Sequence, residues 1–276
     1  MKIRVNWIID GTLEIEADNV VEAEQIVARP LQSTRYRAPL LRIFYKALLL
    51  KIWRPTVAHI PPLDLDQLDE LKPVLAMSEA TMGFVPNSVR TMAHMRQLPV
   101  AFSILFGTVM GGDTKTLLEN MLKIVPEQNA PEENLPPALL QLIAFSVSVS
   151  AGCRYCQAHT GHNSKRMSDE PDAQGEKLLQ VLNYAEADCF SEAERAVVGL
   201  ALAAGQVPNG AEKSHFAALQ PYFSQRQITQ IVAVISTFGF LNRWNDTVAT
   251  ALEEVPTSFG ESQLQEAGWE LGKHQS

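Results

Sequence analysis

Residues 135–160 read LPPALLQLIAFSVSVSAGCRYCQAHT, and this stretch decides the fold class. Leu135 to Cys153 carries no charged side chain, yet it holds Gln141, Ser146, Ser148 and Ser150 among its apolar residues. That pattern predicts a buried core helix rather than a membrane span. Pro137 suits the first turn of such a helix, where the missing N–H costs nothing. Gly152 is a natural break, and Cys153 then falls in the first turn of a second helix. Two core helices separated by one glycine point to an all-α body.

The same punctuation extends outward. From Pro61 onward no strand pattern is found. Pro86 and Pro99 also sit where a first helical turn tolerates proline. Ser191 and Glu194 form a capping box, opening a helix striped by Ala193, Ala196, Val197, Leu200, Ala201 and Ala204. Ser224 and Gln227 repeat the device ahead of Ile228, Ile231, Val232 and Ile235. Gly83, Gly111-Gly112 and Gly205 read as helix stops. Asn129–Asn134 and Ser168–Gln174 read as loops, and the tail after Pro256 as weakly patterned and mobile. Eight to ten helices are predicted over residues 61–276, with no fixed-period repeat.

Residues 1–60 differ. Ile3, Val5 and Trp7 alternate with polar residues, Asp10-Gly11 offers a turn, and Leu13, Ile15 and Ala17 alternate again. This is a β-hairpin signal. Asp18 or Asn19 caps a short helix, Val20–Ala28, that stops before Pro30, giving a small ββα unit. Tyr36–Trp53 is apolar but interrupted by Arg37, Arg42, Lys46 and Lys51, which predicts an amphipathic docking helix.

Composition excludes several classes. The chain has 276 residues, 46% apolar and 20% charged, an ordinary globular mix. Its net charge of −8, with no Lys/Arg run, argues against nucleic acid and anionic membrane as partners. Three cysteines cannot form a secreted disulfide scaffold, so a reduced, cytoplasmic setting is expected. No phosphate loop, dinucleotide fingerprint or nucleophile-elbow serine is present, so no cofactor is expected.

The chemistry is concentrated in Cys153-Arg154-Tyr155-Cys156-Gln157-Ala158-His159. Helical spacing puts Cys153, Cys156 and His159 on one face. Free N–H groups at a helix start favour thiolate over thiol, and two thiols one turn apart can close a disulfide. His159 is one turn further on, where an imidazole can take or hold the Cys156 proton. This equips a redox dithiol. Three other readings stay open: a zinc site from Cys153, Cys156, His159 and His162, a pair of buried structural thiols, or a dithiol that oxidises only adventitiously. The zinc reading suffers because four ligands within ten residues of one helix cannot easily surround a tetrahedral ion. Elsewhere, Cys189 reads as a structural thiol and His94 as a packing residue. Asn242, Arg243, Asn245 and Asp246 read as a structural network. His59, His215 and His274 show no local partner.

Leu142–Thr160 resembles the signature of alkylhydroperoxidase D-like proteins, in the carboxymuconolactone decarboxylase superfamily. Gly83-Phe84-Val85-Pro86-Asn87, Arg90–His94, Phe190–Ala196 and Asn242–Thr247 resemble segments of its peroxidase-related branch, so the similarity spans residues 62–255. The resemblance implies an all-helical trimer or hexamer that reduces hydroperoxides through a Cys-x-x-Cys pair, without metal or haem. An external thiol or disulfide-reductase donor would restore the pair. It further implies Cys156 as the peroxide-reactive thiol, Cys153 as the resolving one and His159 as the relay base. Gln141 stands where the family places its relay glutamate, and Tyr155 where some members hold a second relay histidine. Thr160 occupies the family's usual histidine position. Asp246 and His162 are candidate substitutes for the carboxylate. The expected function is a thiol-dependent peroxidase in antioxidant defence. A non-catalytic redox-sensing helical module and a lactone-acid lyase remain the alternatives.

Overall fold

A computed structural model describes residues 2–7, 11–16, 58–127 and 131–275. The chain divides into two compact units, Met1–Ala58 and His59–Ser276. In the first, strands β1 (Lys2–Trp7) and β2 (Gly11–Glu16) pair antiparallel, with Ile3 opposite Ile15 and Trp7 opposite Gly11. Gly11, expected in a turn, is therefore a strand residue paired with Trp7. The predicted helix at Val20–Ala28 and the amphipathic helix at Tyr36–Trp53 lie outside the described residues.

The second unit is helical throughout its described residues. Its helices are α1 (Lys72–Met82), α2 (Asn87–Met92), α3 (Leu98–Val109), α4 (Thr114–Met121), α5 (Pro137–Ala151) and α6 (Arg154–Arg166). They continue with α7 (Pro171–Leu179), α8 (Glu192–Ala204), α9 (Lys213–Leu219), α10 (Gln225–Val248) and α11 (Glu254–Phe259). The capping signals hold. Ser191 accepts from the Glu194 amide and Ser224 from the Gln227 amide, each with the reciprocal side-chain bond of a capping box. Gly83 ends α1 with a left-handed φ of 78°. The segment expected to be a loop at Ser168–Gln174 instead starts α7 at Pro171, a further proline in a first turn.

Helix α5 is the pivot of the fold. Every residue from Leu142 to Ser148 is buried, so the helix has no solvent face over two turns. One side, with Ile143 and Val147, packs with Val197, Leu200 and Ala201 of α8 and Ile228, Ile231 and Ile235 of α10. The other, with Leu142 and Phe145, packs with Ala158 of α6, Leu178 of α7, and Leu252, Leu264 and Trp269. Each fully buried Leu or Ile contributes about 1.5–3 kcal/mol. The serines survive there because Ser146 and Ser148 donate back to the carbonyls of Leu142 and Ala144, at 2.8 and 2.7 Å. A third cluster, Leu68, Leu71, Val74, Val89, Val100 and Met121, holds α1 to α4 together.

The tail after Pro256 is not the mobile segment the sequence suggests. Trp269 and His274 are 5% and 1% exposed, and the Leu252 amide donates to the His274 carbonyl at 3.0 Å. The burial of a few well-spaced residues, Leu264, Trp269 and His274, anchors this tail without a helical period to announce it. No helix among the described residues is long and apolar enough to cross a membrane.

Candidate functional site

Gly152 closes α5 with a φ of 76°, a conformation in which a side chain would be strained. The turn lets α6 start immediately, and Cys153 becomes its N-cap with extended backbone. Cys153 and Cys156 are both free thiols, 0% and 3% exposed. The neighbouring Cys156 side chain lowers the Cys153 thiol below its ordinary range, although burial opposes the shift. Cys153 in turn, followed by burial, pushes the Cys156 thiol up. The thiol more readily ionised is thus the one at the helix start, where free N–H groups favour negative charge.

Helix α10 brings three polar side chains to this point. Asn245 Nδ2 donates to Cys156 Sγ at 3.5 Å, and Thr250 Oγ1 fixes Asn245 Oδ1 at 2.9 Å. Asn242 Oδ1 accepts from Ser148 Oγ at 2.9 Å. Asp246 lies beside Cys153: its carboxylate, the Cys153 sulfur and a ring nitrogen of His274 are all within 4.8 Å of one another. Lys273 Nζ holds Asp246 Oδ2 at 2.7 Å. A cleft of about 740 Å³, lined by Val147, Ala204, Ile235, Asn242, Asp246 and Lys273 among others, opens next to these groups.

The predicted residues divide between two arrangements. Cys153 and Cys156 meet as expected. Tyr155 and His159 stack on each other, with ring centroids 4.3 Å apart, and both turn to Glu253. Tyr155 Oη donates to Glu253 Oε1 at 3.0 Å, and His159 Nε2 lies 3.1 Å from Glu253 Oε2. No hydrogen bond joins His159 to either sulfur among the described residues. Three residues are 300° of helix rather than a full turn, which carries His159 round to the neighbouring face. The imidazole placed at the pair is His274. Gln141 is joined by no hydrogen bond to the sulfurs or to His159, and its Oε1 is buried without a partner. His162 packs edge-on to Phe259 at 5.6 Å, so the four-ligand set of Cys153, Cys156, His159 and His162 is not assembled.

Burial, then Glu253, pushes the Tyr155 phenol up to about 12. A raised folded-state value stabilises the fold below the ordinary tyrosine range near 10, and the contribution fades as pH climbs toward about 12. Glu253→Gln is expected to lower the Tyr155 midpoint while leaving it above 10, because burial remains. Alkaline phenolate absorbance, taken as the difference from Tyr155→Phe, measures it; an unchanged midpoint would remove Glu253 as a cause.

Asn242, Asn245 and Asp246, which the sequence marks as a structural network, stand at the sulfurs. They recur at i, i+3 and i+4 on a helix that is otherwise apolar on that side. His274 and Glu253 carry no signal in the sequence, since only the folded chain brings them near Cys153 and Tyr155. His59 and His215 also have partners: His59 stacks on Phe216 at 4.5 Å, and His215 Nδ1 accepts from the Glu212 amide at 3.0 Å. His94 Nε2 contacts the Pro61 carbonyl at 2.8 Å, in keeping with a packing role.

Residues 118–203, which include α5, the Gly152 break and both cysteines, match the model of the carboxymuconolactone decarboxylase family. This segment is similar to that family. Around it, solved structures show similarity over most of the helical unit. The apo debrominase Bmp8 is 29% identical, covering 75% of this chain and 96% of its own, with a TM-score of 0.44. A peroxidase-related protein from Silicibacter sp. TM1040 is 23% identical over 73% of this chain and 93% of its own, with a TM-score of 0.38. A peroxidase-related protein with an alkylhydroperoxidase core, from Ralstonia eutropha JMP134, is 22% identical over 70% and 91%, with a TM-score of 0.37. No curated protein matches the sequence. Within the matched segment, the two thiols sit where α5 and α6 meet, and their polar surroundings come from α10 and the tail beyond it.

Proposed function

We propose that the protein is a dithiol peroxidase that reduces a hydroperoxide at Cys153 and Cys156, drawing electrons from an external thiol. The observation that carries this reading is the pair of free thiols one turn apart at the start of α6, with Asn245 Nδ2 on Cys156 Sγ. The similarity of residues 118–203 to the carboxymuconolactone decarboxylase family and the polar set from α10 support it.

The Cys153 thiolate attacks the terminal peroxide oxygen. The O–O bond breaks, the alkoxide takes the proton of the Cys156 thiol and leaves as an alcohol, and Cys153 becomes a sulfenic acid. The Cys156 thiolate so formed then attacks the Cys153 sulfur. The S–S bond forms, and hydroxide leaves and takes a proton from solvent as water. Two electrons from a dithiol donor reopen the bridge. The lowered Cys153 thiol and the raised Cys156 thiol favour Cys153 as the first nucleophile, the reverse of the order that the family resemblance implied. Asn245 steadies Cys156, and the Tyr155–Glu253–His159 group braces the first turns of α6.

Hydroperoxide consumption with a dithiol reductant tests the reading. The wild type is expected to turn over continuously, and Cys153→Ser/Cys156→Ser to fall to the uncatalysed rate. Equal rates would end it.

A further inference from the structure

We propose that the reduced protein binds a borderline divalent cation of the zinc type through Cys153 Sγ, Asp246 Oδ1 and His274 Nε2, and that this binding excludes disulfide closure. The inference goes beyond the peroxidase reading and stands or falls independently of it.

The decisive group is His274. It is 1% exposed, and its Nδ1 lies 2.8 Å from the Thr250 carbonyl. A carbonyl only accepts, so Nδ1 is the donor and Nε2 is the ring atom left to ligate. That Nε2 is buried without a hydrogen-bond partner and faces Asp246 Oδ1 at 3.5 Å. A ring nitrogen and a carboxylate oxygen at this separation leave room for one positive centre between them, a proton or a cation. The Thr250 carbonyl contact is also the outer-shell arrangement that fixes the ring of a metal-bound histidine.

The donor set and spacing fit. Zinc takes sulfur at about 2.3 Å and nitrogen or oxygen at about 2.0–2.2 Å, which separates neighbouring tetrahedral ligands by about 3.3–3.7 Å. The His274–Asp246 spacing is already there, and Cys153 lies within the 4.8 Å span of the three. Thiolate, imidazole and carboxylate together suit zinc better than a hard cation. Asp246 can ligate with Oδ1 because Lys273 occupies only Oδ2. Lys273 is half exposed and free to swing outward, but it is a like charge beside the ion and weakens binding. Three protein ligands leave a fourth position for a water or a small ligand. The set differs from the local Cys153, Cys156, His159 and His162 group: it draws from α6, α10 and the tail, so donors reach the ion from several directions.

Cobalt(II) and zinc titrations of the reduced, desalted full chain test this. One cobalt per chain is expected, with thiolate-to-cobalt absorption in the near ultraviolet and displacement by zinc. Cys153→Ser should abolish that absorption. His274→Ala and Asp246→Asn should weaken cobalt at least about tenfold, Lys273→Ala should tighten it, and His159→Ala should leave it unchanged. The oxidised wild type, whose fold needs no substitution, should bind none. Bound zinc should in turn slow disulfide formation by added oxidant. Absence of stoichiometric binding, equal binding by the oxidised form, or binding insensitive to His274→Ala would overturn the proposal. Peroxide turnover without cobalt binding would defeat this inference alone; cobalt binding without turnover would defeat only the peroxidase reading.

Discussion

Cys153→Ser is expected to cut hydroperoxide consumption by more than about a hundredfold, because it removes the thiolate that attacks. Cys156→Ser has a different expected outcome. The first sulfur still reacts, but no partner resolves it, so the enzyme stops after one turnover with Cys153 as a sulfenic acid. Trapping with a sulfenate-selective reagent and mass spectrometry distinguishes them: label on Cys153 in Cys156→Ser, and little label in Cys153→Ser. The prediction follows from the opposite shifts of the two neighbouring thiols, Cys153 down and Cys156 up. Label on Cys156 in Cys153→Ser, formed as fast as in the wild type, would restore the order carried by the family resemblance.

Removing residues 273–276 should open the site. The cut takes away His274, which is buried against Cys153 and Asp246, and the carbonyl that receives the Leu252 amide. Trp269 and Leu264 remain to hold the rest of the tail. Alkylation of Cys153 by iodoacetamide is expected to accelerate by about tenfold or more, as protection passes from the folded tail to local opening alone. Cys189, remote in sequence and half-buried, serves as the internal reference. An unchanged Cys153 rate, with the fold intact by circular dichroism, would show that the tail does not cover the pair.

The helical body and the meeting of Cys153 with Cys156 were legible because local rules govern both. Pro137, Gly152, Ser191 and Ser224 act within a turn of themselves, and the structure places each where its chemistry predicts. The surroundings of the pair were not legible, because they come from distant segments. The i+3 spacing of Cys156 and His159 suggests a contact, but 60° of missing rotation and the pull of Glu253 send the ring elsewhere. The tail looked unpatterned because three anchoring side chains without a helical period are invisible to a periodicity argument. The buried asparagines of α10 were read as structure; the fold puts them against the sulfurs, where a polar network and a working site use the same atoms.

Trp269 makes one consequence available to the spectroscopist. Its indole Nε1 donates to the Arg154 carbonyl at 3.0 Å, one peptide unit from Cys153, and the ring is sealed from water. Sulfur in its reduced and bridged states quenches indole emission to different degrees. The protein therefore carries an intrinsic fluorophore beside its two buried thiols, and under the proposed dithiol chemistry its emission is expected to track the state of that pair without any attached dye.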